Sequence, residues 1–565
     1  MAVRIAGPPR QRALASAADR RHAITRRLVP LAVCLSWGGL YWCYARVSAT
    51  FPSGSDGASN ALEAWDLLHG NWLLRGWTLT DVSFYTTELP EYAAVELARG
   101  LNPGVAHTAA ALTYALLVLV AALLARGRAT GAQGWARALT AAAIMIAPQL
   151  GNGVHVLLGP PDHVGTQVLV LGSFLLLDRA PRRWYTPAAV AALLAAATVA
   201  DKITIVDAVV PLAFGSLLHA VWTRRPSERR FELWLAAAAL AAAGAALLGL
   251  ALISRAGGFT LLPVQTDLAG PAGVPGHLAL AWHGVLSLFG ADVTGATAGT
   301  QTVLAWLHAP GIALAVAALA VAAWHLPREH DLVSDVLAVA MVVNMAGFVA
   351  SVIPATAFDT REIAALLPFG AVLAGRVFGP SLAASRAGLA ALAVAAACQL
   401  AALGYAAAQP VAADPAQALA GWLAAHHLTC GIGTFNDSNL TTVDSGGKVR
   451  LLTVSWLPGA RPARQPQYLR PGRPLPLPLP GGAAVPRLYQ SAASWYDPRG
   501  QDADFVVTSD DGPADLIPRG EILALAGPPA ATYHVQSFTV LVWHVNLLAL
   551  LGRPPSALPG DIGHR

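Results

Sequence analysis

The sequence predicts an α-helical polytopic membrane protein of about eleven transmembrane helices with a water-facing C-terminal α/β domain. Three observations predict it. Hydrophobic residues make up 55% of the 565 residues and charged residues only 12%, about half the charged share of a soluble chain. The mean hydropathy is +0.51. Apolar runs of membrane-crossing length recur from residue 28 to residue 408, and beyond them proline and glycine become frequent and strand-like runs begin. These properties exclude a disordered chain, a coiled coil, a secreted disulfide scaffold and an ordinary cytosolic enzyme. With 37 basic against 32 acidic residues the chain is not a nucleic-acid binder.

Residues 1–27 form an arginine-rich tail, in which Arg4, Arg10, Arg12, Arg20, Arg21, Arg26 and Arg27 are opposed only by Asp19. A helix needs roughly 20 apolar residues to cross the hydrocarbon core. By that measure spans lie near 28–46, 105–125, 136–151, 164–178, 186–201, 203–222, 231–253, 303–324, 333–353, 362–377 and 387–408. The bundle therefore covers 28–408 and includes a large first outer loop, 47–104. Arginines mark every second connection: Arg126 and Arg128, then Arg179, Arg182 and Arg183, then Arg224, Arg225, Arg229 and Arg230, then Arg328, then Arg376 and Arg386. Cationic loops stay in the cytoplasm. This places the N-terminus inside a plasma membrane, and the long or acidic connections (47–104, 152–163, 254–302 and 354–361) outside it. Residues 409–545 then form an extracytoplasmic α/β domain, followed by a tail, 546–565. Of the four cysteines, Cys34, Cys43 and Cys398 fall in apolar runs, so no disulfide framework is expected for Cys430.

In the first loop Ala61, Leu62, Trp65, Leu68 and Trp72 recur at helical spacing with Glu63, Asp66 and His69 between them, which predicts an interfacial helix. In the C-terminal domain AQALAGWLAAHH predicts a helix, KVRLLTVSW, DFVVTS and YHVQSFTVLVW predict strands, and the proline-rich 458–487 predicts a long extended loop.

Five groups of residues could carry chemistry. Asp56, in GSDGAS, stands just before the interfacial helix, where a general base could deprotonate an acceptor hydroxyl; a helix N-cap is the structural alternative. HVLLGPPDHVGT supplies His155, Asp162 and His163. Carboxylate and imidazole can bind a phosphate or a divalent metal, magnesium or manganese, or Asp162 can simply cap the fourth span. TDVSFYTTELPEY carries Asp81, Tyr85, Glu88, Glu91 and Tyr92, a mixture suited to sugar recognition and equally to a solvated loop anchored by Phe84 and Leu89. Asp201 and Lys202 lie where two spans meet, as a functional pair or as a neutralised turn. Asp359, Arg361 and Glu362 stand at the mouth of the tenth span. There Arg361 could hold a phosphate or pair with either neighbouring carboxylate. Under the charge-derived topology all these groups share one face, which suggests one polar cavity above the bundle.

With these residues in view, the chain resembles the GT-C superfamily of polytopic glycosyltransferases, particularly the actinobacterial members that use polyprenyl-phosphate sugars. The resemblance covers the whole layout: the spans, the long first loop with Asp56, the second outer loop with Asp162, and the extracytoplasmic C-terminal domain. It implies an inverting transferase with Asp56 as base, and Asp162 in metal or donor-phosphate binding. The partners it implies are a polyprenyl-phosphate-sugar donor lipid, an envelope glycan or protein acceptor, and membrane lipids. Asp56 is followed by glycine rather than a second acidic residue, no DxD appears in the second loop, and SWYDPRG is only a loose echo of WWDYG, which argues against an oligosaccharyltransferase. The competing readings are a non-catalytic envelope scaffold that binds lipid or glycan, and a transporter. No paired broken helices in matching halves support the latter.

Overall fold

The computed structural model describes residues 34–159, 163–264, 267–294, 299–325, 331–458, 482–509 and 519–551. Asp162, Arg328, the tail 1–27 and most of the proline-rich tract lie outside these residues.

Eighteen helices are described. They are α1 (34–48), α2 (Ser55–Leu68), α3 (Glu88–Arg99), α4 (Val105–Arg126), α5 (Gly131–Met145), α6 (Asn152–Leu158), α7 (Val164–Arg179), α8 (Tyr185–Ala200) and α9 (Val210–Trp222). There follow α10 (Pro226–Arg255), α11 (Val274–Leu288), α12 (Thr300–His325), α13 (Leu332–Ala350), α14 (Leu366–Ala383), α15 (Arg386–Ala407), α16 (Pro415–Ala425), α17 (Phe435–Asp444) and α18 (Arg519–Ala526). Each predicted span falls on a helix. Among the described residues seven helical segments are long and apolar enough to cross a membrane: α4, Ile205–Trp222, α10, α12, α13, α14 and α15. The chain is a multi-pass membrane protein. Helix α14 is the hub. Residues 363–376 are buried on every side, as expected of a helix apolar all round at the centre of a bundle.

The long connections (49–104, 146–163, 256–299 and 351–365), with the short one 201–204, gather at one end of the bundle; 127–130, 180–184 and 223–225 lie at the other. Within the bundle and its loops three helices differ from the sequence expectation, and in the C-terminal residues α17 and α18 add to the one helix expected there. α3, α6 and α11 form inside segments read as loops. Each is short and carries polar residues or glycine, so none reaches span length. Arg376 also differs: it is not in a cationic loop but buried within α14, held by Asp178 (3.0 Å) and Asp331 (2.8 Å).

Two sheets complete the fold. Strands β1 (Trp77–Leu79) and β2 (Thr260–Leu261) pair in parallel. The C-terminal residues supply β3 (Cys430–Gly433), β4 (Arg450–Pro458), β5 (Gly482–Pro486), β6 (Ser491–Ala492), β7 (Phe505–Ser509), β8 (Ala531–Val535) and β9 (Phe538–Val542). Six of them form a sheet of order β5-β4-β3-β7-β9-β8, with β3 parallel to both β4 and β7. Gly431 in β3 lies so close to Phe505 that a Cβ would sit 2.4 Å from its ring, which explains a glycine in a central strand. The predicted strand YHVQSFTVLVW is a hairpin, turning at Gln536 with φ 53°, and β5 emerges from the end of the predicted 458–487 loop to pair with β4. Asp414 caps α16, accepting from Ala416 N at 3.0 Å.

The C-terminal residues are locked onto the first loop. β6 pairs antiparallel with β1, Trp77 meets Trp495 edge-on at 4.9 Å, and Asn439 Nδ2 donates to Ser59 Oγ at 2.8 Å. One apolar core runs through both, joining Leu62, Trp77 and Phe84 to Leu440, Val443 and Ala492.

Candidate active site

Asp56 is the second residue of α2. The N-cap is Gly54, in extended conformation, so Asp56 is not the cap that its sequence context suggests. Its charge lies in the first turn, where the helix dipole favours an anion. Ser55 Oγ donates to Asn436 O at 2.9 Å, which ties this turn to the start of α17. Burial pushes the Glu63 carboxyl well above the usual range, and the Asp56 charge adds to the shift.

A second group forms where α7 begins and α8 ends. His163 adopts φ 59° as the residue before α7. Its Nδ1 lies 2.5 Å from Asp201 Oδ2 and its Nε2 3.3 Å from Glu362 Oε1. Burial opposes a charge on this ring, but Glu362 and Asp201 outweigh it and hold the imidazole protonated well above its ordinary range. Asp201 terminates α8 and accepts from Ile203 N at 2.9 Å and Thr166 Oγ1 at 3.4 Å. Asp81 and Lys202 join this group. Burial raises the Asp81 carboxyl, Glu362 and Asp201 raise it further, and His163 opposes them. Burial lowers the Lys202 ammonium, while Asp81 and Asp201 support its charge. With Arg361, three cations face three carboxylates.

Arg361 stands in the short helix Ala357–Ile363. Its guanidinium lies 4.5 Å over the Phe358 ring, which stacks on His155, which stacks in turn on Phe51, with ring centres 4.6 and 4.7 Å apart. Arg361 Nε is 3.7 Å from Glu362 Oε1. Asp359 is occupied elsewhere: its Oδ2 accepts from Thr356 N at 2.6 Å and Ala355 N at 2.9 Å, capping the same short helix.

The two groups meet at a residue the sequence did not single out. Tyr489 lies between β5 and β6, beside Arg487, whose guanidinium is 5.0 Å from the Tyr489 ring and 4.8 Å from Phe435. Burial raises the Tyr489 phenol, Asp56 and Asp81 raise it further, and Arg361 and Arg487 oppose them. Asp56, Asp81, Arg361 and Arg487 thus all act on one hydroxyl. No composition signal could have found Arg487 and Tyr489. They follow the proline-rich tract and come within electrostatic reach of Asp56 through the pairing of β6 with β1 and through Asn439 of α17, which donates to both Gln490 O and Ser59 Oγ.

This geometry can be set beside known proteins. The chain matches no family model and no curated protein. The structure of ArnT from Cupriavidus metallidurans bound to undecaprenyl phosphate superposes with a TM-score of 0.50 at 15% identity, over 94% of this chain and 100% of that one. The chain has a GT-C fold. Two further structures are similar at lower scores. The Archaeoglobus fulgidus oligosaccharyltransferase tethered to an acceptor peptide scores 0.46 at 12% identity, over 84% of this chain and 69% of that one. The mycobacterial arabinofuranosyltransferase AftD scores 0.42 at 16% identity, over 92% of this chain and only 40% of that one.

Within this GT-C fold the segment TDVSFYTTELPEY is packed rather than solvated. The Tyr85 hydroxyl donates to Trp72 O and its ring lies 5.3 Å from Phe259. Glu88 is buried and accepts from Gly165 N at 2.9 Å, holding the first turn of α7; Glu91 accepts from Thr113. Burial raises Glu88 to about 8. Its folded value lies above the unfolded one, so folding is favoured at acid pH and stability falls as pH rises from about 4.5 towards 8, by about 1 kcal/mol per unit. Glu88→Gln keeps the acceptor for Gly165 N and should flatten this slope, raising the melting temperature at pH 8 but not at pH 5. A melting curve across pH checks it, and a slope identical to that of the wild type refutes it.

Of the candidate metal ligands Asp56, Asp162 and His163, Asp162 lies outside the described residues and His163 is already engaged. Both His163 nitrogens face carboxylates, so no lone pair is left for a cation. Among the described residues no group of three or more His, Cys, Asp or Glu could hold one. An apolar groove of about 640 Å³ opens between α11, α12, α13 and α14, lined by Leu278, Phe289, Leu319, Met341, Val349 and Leu366. Leu366 lies five residues beyond Arg361.

Proposed function

We propose that the chain transfers a sugar from a polyprenyl-phosphate donor to an envelope glycan or protein acceptor, with inversion, at the outer face of the plasma membrane. The observation that carries this reading is the convergence of Asp56, Arg361 and Arg487 around Tyr489. A carboxylate able to act as base and a cation able to meet a phosphate thereby share one neighbourhood. The apolar groove beside Leu366 suits a polyprenyl chain entering from the bilayer, with its phosphate towards Arg361 and Lys202. The undecaprenyl phosphate held by ArnT supports a ligand of this class.

In this reading the acceptor hydroxyl attacks the anomeric carbon from the side opposite the phosphate. Asp56 takes the hydroxyl proton, the anomeric C–O bond breaks, and polyprenyl phosphate leaves with the electron pair. Arg361 and Lys202 stabilise the charge that develops on the leaving phosphate. His163 acts one step away. By binding Glu362 and Asp201 together it sets where Arg361 and Lys202 stand, and so it is a positioning residue. The C-terminal residues 409–545, outside the membrane, hold the acceptor against Asp56. The purified chain in liposomes, given labelled polyprenyl-phosphate hexose or pentose and an envelope fraction, should release polyprenyl phosphate and label the acceptor. If no donor is consumed while the chain still binds it, the scaffold reading replaces this one.

A further inference from the structure

A second polar site lies at the other end of the bundle, where the connections 127–130, 180–184 and 223–225 gather. A cavity of about 560 Å³ is lined there by residues of the α4–α5 and α7–α8 connections and of α5, α10, α13 and α14. Helix α7 runs from His163 at the candidate active site to Asp178 at this cavity, 15 residues or about 22 Å along a helix. The two sites are therefore distinct.

The charges in this cavity are settled except for a few atoms. Arg376 is taken up by Asp178 and Asp331, and donates to Leu124 O at 3.0 Å. Arg128 donates to the backbone oxygens of Asp178 (2.7 Å) and Ala180 (3.0 Å). Arg182 lies 3.8 Å from Glu232. What remains is the buried Nε of Arg137, together with the buried Asp178 Oδ2 and Glu232 Oε2, none of which has a hydrogen-bond partner among the described residues. The backbone and Cγ of Arg137 are held against α14. Gly375 and Gly379 are spaced four apart on α14, and a Cβ on either would lie 2.5 Å from Arg137, so α5 packs directly on α14 there. A guanidinium edge and two carboxylate oxygens, all unsatisfied, call for a ligand carrying an acceptor anion and a donor cation together.

The surface around the cavity points to where such a ligand comes from. Trp135, Trp184, Trp234 and Trp324 are all exposed and stand at this end of α5, α8, α10 and α12. Arg126 lies 5.1 Å over Trp135 and Arg230 4.8 Å over Trp234. Exposed tryptophans with neighbouring arginines mark the headgroup level of a bilayer.

We infer that this cavity binds the headgroup of a phosphoethanolamine lipid, its phosphodiester against Arg137 and its ammonium against Asp178 and Glu232. Ethanolamine supplies N–H donors for both carboxylates, whereas choline supplies none. Native mass spectrometry of the full chain in detergent, with equimolar dioleoyl phosphatidylethanolamine and phosphatidylcholine, tests this. The wild type should retain at least about fivefold more of the ethanolamine lipid, roughly 1 kcal/mol of preference. Glu232→Gln should reduce that preference to parity, and Arg137→Gln, which faces the phosphodiester common to both lipids, should lower the retention of both, while the chain keeps its elution volume and helical circular dichroism. Equal retention of the two lipids by the wild type, a preference undiminished in Glu232→Gln, or retention unchanged in Arg137→Gln overturns the proposal. Displacement of the lipid by equimolar glycerophosphoethanolamine overturns the lipid as the source of the headgroup. None of these outcomes depends on sugar transfer, so the site stands or falls separately from the proposed activity.

Discussion

Asp56→Asn is expected to lower donor turnover by about 10²–10⁴-fold, the usual contribution of a positioned general base. Asparagine reproduces the shape of the side chain but cannot accept the proton of an attacking hydroxyl. The fold should tolerate the change. Gly54, not Asp56, caps α2, so the substitution leaves the cap intact, and losing the interaction of the charge with the helix dipole costs about 0.3–1 kcal/mol. Donor binding should hold within about twofold, because in the proposed mechanism the phosphate is met by Arg361 and Lys202. Single-turnover release of polyprenyl phosphate, run beside a donor-binding measurement, separates the two quantities. Unchanged turnover in Asp56→Asn would remove the base from the mechanism and with it the case for inversion at this site.

His163→Phe is expected to destabilise the chain by about 3–5 kcal/mol, the cost of breaking a buried charge pair by removing one partner. The side chains of His163 and Asp201 are 7% and 2% exposed and that of Glu362 21%, so two carboxylates would be left facing one another with little water to screen them. The effect carries a pH signature. The folded pKa of His163 is raised above the unfolded value near 6.5, so its contribution is fully present below pH 6.5 and is lost as pH rises through the folded value, on the alkaline side. The difference in melting temperature between wild type and His163→Phe should therefore be largest near pH 6 and shrink towards pH 10. A difference that is absent at pH 6, or that grows with pH, contradicts the pairing. His163→Lys, which keeps a cation there, should recover part of the stability without recovering the geometry around Arg361.

The predicted spans each coincide with a helix, because twenty apolar residues in a row report burial without reference to any partner. Asp56, His163, Asp201, Lys202 and Arg361 were legible for the complementary reason. An ionisable side chain at the end of an apolar run is costly to keep there and so stands out. Their partners were not legible. Asp359 and Glu362 flank Arg361 in sequence, and only the cap at Thr356 commits Asp359 elsewhere and leaves Glu362 to Arg361 and His163. The carboxylates of TDVSFYTTELPEY read as a polar loop because their pattern is polar, whereas Glu88 is buried beneath α7.

The sequence by itself determined that this chain is a helical membrane protein, where its apolar helices lie and where its ionisable groups are concentrated, since hydropathy and charge act through each residue's own transfer energy. The tertiary structure alone decided which of those groups meet. It paired His163 with two carboxylates from helices far apart in the chain, and it brought Tyr489, more than 400 residues away in sequence, within electrostatic reach of Asp56. Such contacts depend on the register between β1 and β6 and on the packing of α7 against its neighbours, and neither leaves a periodic trace in the residues that make them.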